Sequence, residues 1–301
     1  MRAMRAFAGW IGRWHTMCAL VGWIAALAVH SAAAEPMSTL VATPTPIVGT
    51  LVETQFYSPT LGQAEPYRVY LPPDYATSSR RYPVLYMLHG AGGGYTEWSD
   101  SFLPERADDM IRNGLIQPMI VVMPSGGDRT YWANWPGGLR WADYLAYDVV
   151  GEIDAHFRTL PTPASRAIGG LSMGGLGALH TALHHPDIFG VVGGHSPSVR
   201  VEPDPRVADS LMGDVFYEFS PIWLVQHRWQ TGEHLQIWVD VGLDDGWRPN
   251  IEVLGANLQA QGIATTWREF PGTHEDTYWT SHVPDYLSFY SSALVSTDAP
   301  A

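Results

Sequence analysis

"RAIGGLSMGGLGALHTALHHPDIFG" (residues 166–190) sets one serine, Ser172, between the pairs Gly169-Gly170 and Gly174-Gly175. An apolar run of strand length precedes the serine. Small and apolar residues of helical character follow, from Met173 to His184. "GLSMG" (residues 170–174) fits the Gly-x-Ser-x-Gly pattern of a tight strand-to-helix turn. Such a turn holds the serine in a strained conformation with its hydroxyl exposed, and glycine leaves room for the chain to double back. The helix start adds unpaired N–H groups and the positive end of a dipole, so negative charge is favoured beside Ser172. The stretch therefore predicts strand, turn and helix, with a hydroxyl placed to act as a nucleophile.

Outward from this stretch, β-rich apolar runs alternate with helical patterns. Strands are predicted at 67–72, 83–90, 119–124, 166–172, 190–197, 235–242 and 265–272. Helices are predicted at 104–113, 143–157, 173–184, 249–261 and 278–294. Several strand runs are apolar on both faces, as in a mostly parallel sheet covered by helices on both sides. The fold class is α/β. In such sheets reactive groups gather at the carboxyl ends of the strands.

The chain has 301 residues and a net charge of -13. That charge disfavours a nucleic-acid partner, since phosphate binding needs a basic face. All 17 basic residues are arginine. The absence of lysine removes Schiff-base chemistry, a serine–lysine dyad and a phosphate-loop lysine. Arg2, Arg5 and Arg13, the apolar run 17–29 and "AAA" (residues 32–34) read as a signal peptide over residues 1–34. An uncleaved membrane anchor is the alternative, although the run is short for spanning a bilayer. After cleavage no stable membrane span is expected, and Cys18, the only cysteine, leaves with the signal. Residues 35–50, rich in Pro and Thr, read as a linker. One domain is expected over 51–295, with a C-terminal tail over 296–301.

A serine needs a base to take its proton and donors to hold the oxyanion. The N–H of Met173 points to where an oxyanion would form. The N–H of Ala91, in the glycine-rich loop "LHGAGGG" (residues 88–94), is the second donor. A phosphate-binding reading of this loop is disfavoured, because no Gly-Lys-Ser/Thr follows. His274, in "FPGTHEDTYW", follows a strand late in the chain and suits the order Ser…Asp/Glu…His. His195, at a strand end, reads as a structural histidine. The acid should come from "VDVGLDDGW" (residues 239–247). Asp240 lies inside the strand. Asp244 and Asp245 are adjacent on the turn, and Asp245 is preferred. "HED" lacks the second histidine of a zinc-protease motif. Neither a metal nor an organic cofactor is required. Trp98, Trp132 and Trp135 read either as an aromatic substrate wall or as core packing.

Together these residues resemble the esterase family of the α/β-hydrolase superfamily. That family includes feruloyl and acetylxylan esterases, S-formylglutathione hydrolases, enterochelin esterases and mycolyltransferases. The likeness runs from about Glu53 to Tyr290. It is carried by "YRVYLPPDY", "RYPVLYMLHGAGG", "RWADYLAYDVVGEIDAHFRT", "RAIGGLSMGGLGAL", "HPDIFG", "VDVGLDD" and "FPGTHEDTYW". The resemblance implies Ser172 as nucleophile, His274 as base and Ala91 and Met173 as oxyanion donors. The family's acid ends a Gly-x-x-Asp turn, here "GLDD", which points to Asp245. The resemblance implies a serine carboxylester hydrolase acting on small or carbohydrate-linked esters, and the signal peptide implies that it is secreted or periplasmic. The alternatives are an acyltransferase on the same scaffold and a non-catalytic binding module. The "LHG" of the loop lowers the first, since mycolyltransferases typically carry aspartate in place of that histidine. The oligomeric state is left open.

Overall fold

Residues 46–203, 214–228 and 234–296 are described by the computed structural model. The expected signal peptide lies outside the described residues, as do most of the linker and all of the tail but Ser296.

Eight strands form one sheet: β1 (Thr50–Ser58), β2 (Gln63–Leu71), β3 (Val84–Leu88), β4 (Ile120–Pro124), β5 (Arg166–Leu171), β6 (Val191–His195), β7 (Gln236–Gly242) and β8 (Thr265–Phe270). Their order is β1-β2-β4-β3-β5-β6-β7-β8. β2 runs antiparallel to both β1 and β4. From β4 onward the neighbours are parallel. The helices are α1 (Glu97–Asp100), α2 (Leu103–Arg112), α3 (Trp141–Asp143), α4 (Val150–His156), α5 (Met173–His184), α6 (Asp214–Phe219), α7 (Pro221–His227), α8 (Arg248–Ala260) and α9 (Asp276–Ala293). A π-helical turn, Tyr144–Val149, joins α3 to α4, so the helix expected at 143–157 is one continuous run.

Side-chain alternation explains why these strands are covered twice. In β3, Val84, Tyr86 and Leu88 enter one apolar cluster and Leu85 and Met87 another. In β4, Ile120 and Val122 face the first cluster, Val121 and Met123 the second. α4, α5, α7 and α8 supply the first cluster, with Ile153, Leu176, Ile222 and Leu254 among its members. α2 and α9 supply the second, through Leu103, Ala107, Tyr286 and Leu287. Burial of these large side chains stabilises the fold by roughly 1.5–3 kcal/mol each before entropy is counted. Ten residues of α5 in a row, Met173 to Ala182, are buried. A helix enclosed on all sides needs no polar face.

Register brings the strand ends into line. Leu88 pairs with Gly170, Leu171 with His195, His195 with Asp240, and Gly242 with Phe270. The residues that follow β3, β5, β6, β7 and β8 therefore emerge along one edge of the sheet.

Every expected strand is present, but β1 was not anticipated. It is exposed along most of both faces, so no apolar period marks it. The linker boundary also moves. Val48 and Gly49 donate their N–H groups to Asp108 at 3.1 and 2.7 Å, and Ile47 packs on the second cluster. Residues 47–50 thus belong to the folded body.

Candidate active site

Ser172 occupies the turn between β5 and α5 at φ 51°, ψ -113°. Few non-glycine residues adopt this region, and strain here is held by the surroundings. The Ser172 N–H donates to the His195 carbonyl at 3.1 Å, and its own carbonyl accepts from Leu176 and Ser198, each at 3.0 Å. The flanking glycines are required sterically. A Cβ on Gly170 would strike the backbone of Gly174, and one on Gly174 would strike the carbonyl of Leu88.

His274, on the loop after β8, lies 2.8 Å through Nε2 from the Ser172 hydroxyl. Its Nδ1 lies 2.9 Å from Asp245 Oδ2. A carboxylate on one side and a hydroxyl on the other fix the tautomer: Nδ1–H donates and Nε2 accepts. Of the two adjacent acids, Asp244 is exposed while Asp245 is buried. Asp245 Oδ1 also accepts from the Trp247 N–H at 2.7 Å. Oδ2 accepts a short hydrogen bond from the Ser196 hydroxyl. Burial opposes the charge of Asp245, but the bonds from His274, Ser196 and Trp247 outweigh it and hold the carboxyl below its usual range.

Ser196 is the functional neighbour that the sequence did not reveal. It follows β6, is fully buried and takes φ 45°. Its oxygen is 3.2 Å from His274 Nδ1. Its partners Asp245 and His274 lie far away in the chain, so no local sequence pattern marks it.

The N–H groups of Met173 and Ala91 have no acceptor among the described residues. Met173 is the first residue of α5, where an N–H has no partner within the helix. The loop bearing Ala91 is pinned by residues that sequence reasoning missed. Gly90 donates to Glu97 at 2.6 Å and Gly92 to Asp128 at 3.0 Å. His89 donates from Nδ1 to the Gly90 carbonyl at 2.8 Å and accepts at Nε2 from Gly126 at 2.9 Å. Burial lowers the His89 pKa and raises that of Glu97.

Trp98 and Trp132 correct the aromatic-wall expectation. They are 1% and 0% exposed, leaving no face for a substrate. Each donates its indole N–H to the segment leading into the Ala91 loop, Trp98 to Leu88 at 2.9 Å and Trp132 to His89 at 3.3 Å. Trp132 packs directly over Gly177 of α5, which has no room for a Cβ. Trp135 is half-buried against Ala133, Ala142 and Phe219, with its indole N–H on the Thr130 carbonyl at 3.0 Å. The aromatic rings nearest the reacting groups are others: Trp279, 4.8 Å from the His274 ring, and Trp247, 6.3 Å from it.

Among the described residues, no group of three or more His, Cys, Asp or Glu side chains is arranged to hold a metal ion.

The strand order, the strained serine turn and the aligned strand ends define an α/β-hydrolase fold. A family model described as "Putative esterase" matches residues 58–290, and the chain belongs to this esterase family. An esterase of Mycobacterium tuberculosis is 34% identical over 154 residues, 50% of this chain and 33% of its own length. The endo-1,4-beta-xylanase/feruloyl esterase of Xylanibacter ruminicola is 32% identical over 156 residues, 48% of this chain and 21% of its own. The chain matches a third or less of the length of these curated relatives. Among solved structures, a ferulic acid esterase aligns with TM-score 0.74 and 25% identity, covering 82% of this chain and 99% of its own. The S-formylglutathione hydrolase of Agrobacterium tumefaciens aligns with TM-score 0.71 and 20% identity, covering 85% of this chain and 99% of its own. The latter likeness is one of fold.

Proposed function

We propose that the protein hydrolyses small carboxylic esters, carbohydrate-linked ones among them, through an acyl-enzyme on Ser172. The observation that carries this reading is the unbroken line from Ser172 Oγ through His274 to Asp245, at 2.8 and 2.9 Å. Ser172 Oγ attacks the ester carbonyl while its proton passes to His274 Nε2. Asp245 holds the ring and stabilises the imidazolium. The N–H groups of Ala91 and Met173 receive the oxyanion. Collapse breaks the C–O bond, and His274 protonates the leaving alcohol. Water then repeats the sequence and frees the acid. The relatives' names support ester hydrolysis over acyl transfer.

We propose export as well, on the pattern of residues 1–34. Among the described residues no helix is long and apolar enough to cross a membrane. The exported form is expected to begin at Glu35, which N-terminal sequencing checks.

Turnover of 4-nitrophenyl acetate and butyrate by wild type and Ser172→Ala tests the reaction. Loss of activity by roughly 10³-fold or more in the variant is expected. Equal rates would refute the role of Ser172.

A further inference from the structure

Among the described residues, Arg200 is a cation beside the reacting groups without a carboxylate partner. Its guanidinium carbon lies 4.7 Å over the Trp247 ring and 5.6 Å over the Tyr131 ring. Its Nη1 is buried and has no hydrogen-bond partner among the described residues. The carboxylate of Asp245 is engaged elsewhere. Asp245 Oδ1 is taken by Trp247, and Oδ2 by His274 and Ser196.

Three contacts place Arg200 beside the site. Two residues before it, Ser198 donates its N–H to the Ser172 carbonyl at 3.0 Å. On one side Trp247 lies 6.3 Å, ring to ring, from His274. On the other, the Tyr131 N–H lies 3.3 Å from Met173 Sδ, next to the proposed oxyanion donor. Tyr131, Arg200 and Trp247 thus link the oxyanion side of the site to the histidine side. Tyr131 stands at φ 54°, a conformation kept only where the surroundings enforce it.

Each feature matches a carboxylate receptor. Aromatic rings hold a guanidinium by cation–π attraction and shield it from water. A buried N–H left without an acceptor is destabilising, and an incoming oxygen would relieve that cost. The planar fork of arginine fits the two oxygens of a carboxylate. The surrounding chain carries a net charge of -13, so an acidic substrate is repelled at long range and needs a local cation.

We infer that Arg200, seated between Tyr131 and Trp247, binds a carboxylate carried by the ester substrate and makes the site selective for acidic esters. The inference rests on the ester-hydrolase reading given above. The carboxylate belongs to either the acyl or the alcohol part, and the substrates below separate the two.

The test compares purified full-length wild type, Arg200→Gln and Arg200→Lys on three esters. These are 4-nitrophenyl butyrate, mono-4-nitrophenyl succinate (acid on the acyl part) and 4-carboxyphenyl butyrate (acid on the alcohol part). Wild type should favour one acidic ester over the neutral one. Arg200→Gln should cut that acidic-to-neutral ratio of kcat/KM at least tenfold, mainly through KM. Arg200→Lys should recover part of it. Added salt should lower the wild-type ratio, because the attraction is partly screened. An unchanged ratio in Arg200→Gln, with the neutral ester still turned over, overturns the Arg200 assignment alone. A wild type inactive on all three esters, with Ser172 unlabelled by a fluorophosphonate, removes the esterase reading and this inference with it.

Discussion

Among the described residues, two of the histidine–aspartate pairs lie side by side, and only one of these two reaches solvent. His274 and Asp245 sit on loops beyond β8 and β7, with Nδ1 to Oδ2 at 2.9 Å. His195 ends β6 and Asp240 lies in β7, with the same atoms at 2.8 Å. The geometry of the pair is nearly identical, so the pair itself does not define function. The third partner does. His274 Nε2 faces the strained, half-buried Ser172 hydroxyl, and its own side chain is 25% exposed. His195 Nε2 faces the buried Tyr290 hydroxyl at 2.9 Å, and its ring stacks on Tyr286 at 3.6 Å. Asp240 takes further hydrogen bonds from Trp238, Tyr278 and Tyr286. Its neighbourhood pushes all three tyrosine pKa values, at 278, 286 and 290, upward through burial first and the Asp240 charge second. In the proposed reaction the outer pair moves a proton to a substrate. The inner pair is saturated and locks the strand ends that carry Ser172 and Ser196.

Substitution separates the two pairs. His274→Gln should lower kcat/KM on neutral aryl esters by roughly 10⁴-fold or more. Its thermal midpoint should stay within about 2 °C of wild type. Asp240→Ala should do the reverse. Stripping a buried pair of its anion costs about 3–5 kcal/mol. Urea unfolding should show that loss, while the folded fraction keeps its ester turnover. An Asp240→Ala protein with wild-type stability but no activity would erase the distinction.

Ser196 tests the outer pair more finely. Hydrogen bonds to charged groups contribute about 1.5–3 kcal/mol. Ser196→Ala should therefore reduce kcat on the order of tenfold with KM unchanged, since it positions Asp245 and touches no substrate. A change confined to KM would contradict this.

The smallest effect concerns pH and stability. Burial, then the neighbouring His184, lowers the His180 pKa from 6.5 to about 3. The folded value lies below the unfolded one, so the unfolded chain takes up this proton first as pH falls. Stability is then full above pH 6.5 and is lost progressively toward pH 3. His89 and His185, whose pKa values burial also lowers, act in the same direction. Asp245 is lowered from 3.8, so its contribution disappears only below that value. The thermal midpoint should fall between pH 7 and pH 4, and His180→Gln should flatten that fall. A slope unchanged by the substitution would refute the role of His180.

The sheet was legible because strands covered on both faces are apolar throughout, as in β3 and β4. β1 was not, because residues such as Leu51 and Tyr57 are exposed and leave no period to read. α6 and α7 escaped because each is only one to two turns long, and Pro221 restarts the chain between them. At the site, motif and chain order singled out Ser172 and His274, which lie 2.8 Å apart. Adjacent turn residues such as Asp244 and Asp245 differ only in which way the turn faces, so the preference for Asp245 leaned on the Gly-x-x-Asp turn of the family it resembles. The tryptophans misled for a related reason. An indole in a core and one in a cleft look alike in sequence, and only the carbonyls of Leu88 and His89 show that Trp98 and Trp132 hold a loop. Ser196 and Arg200 act through partners distant in sequence, so no local pattern marks them.

The central claim is that the hydroxyl facing the solvent-reaching pair is the nucleophile. Trypsin cutting at Arg166 and Arg200 yields one peptide, residues 167–200, that contains Ser172, Ser196 and Ser198. Fluorophosphonate labelling followed by fragment-ion mass spectrometry should place the phosphonyl group on Ser172, with labelling slowed in His274→Gln. An adduct on Ser196 or Ser198, or equal labelling rates in wild type and His274→Gln, would contradict the account.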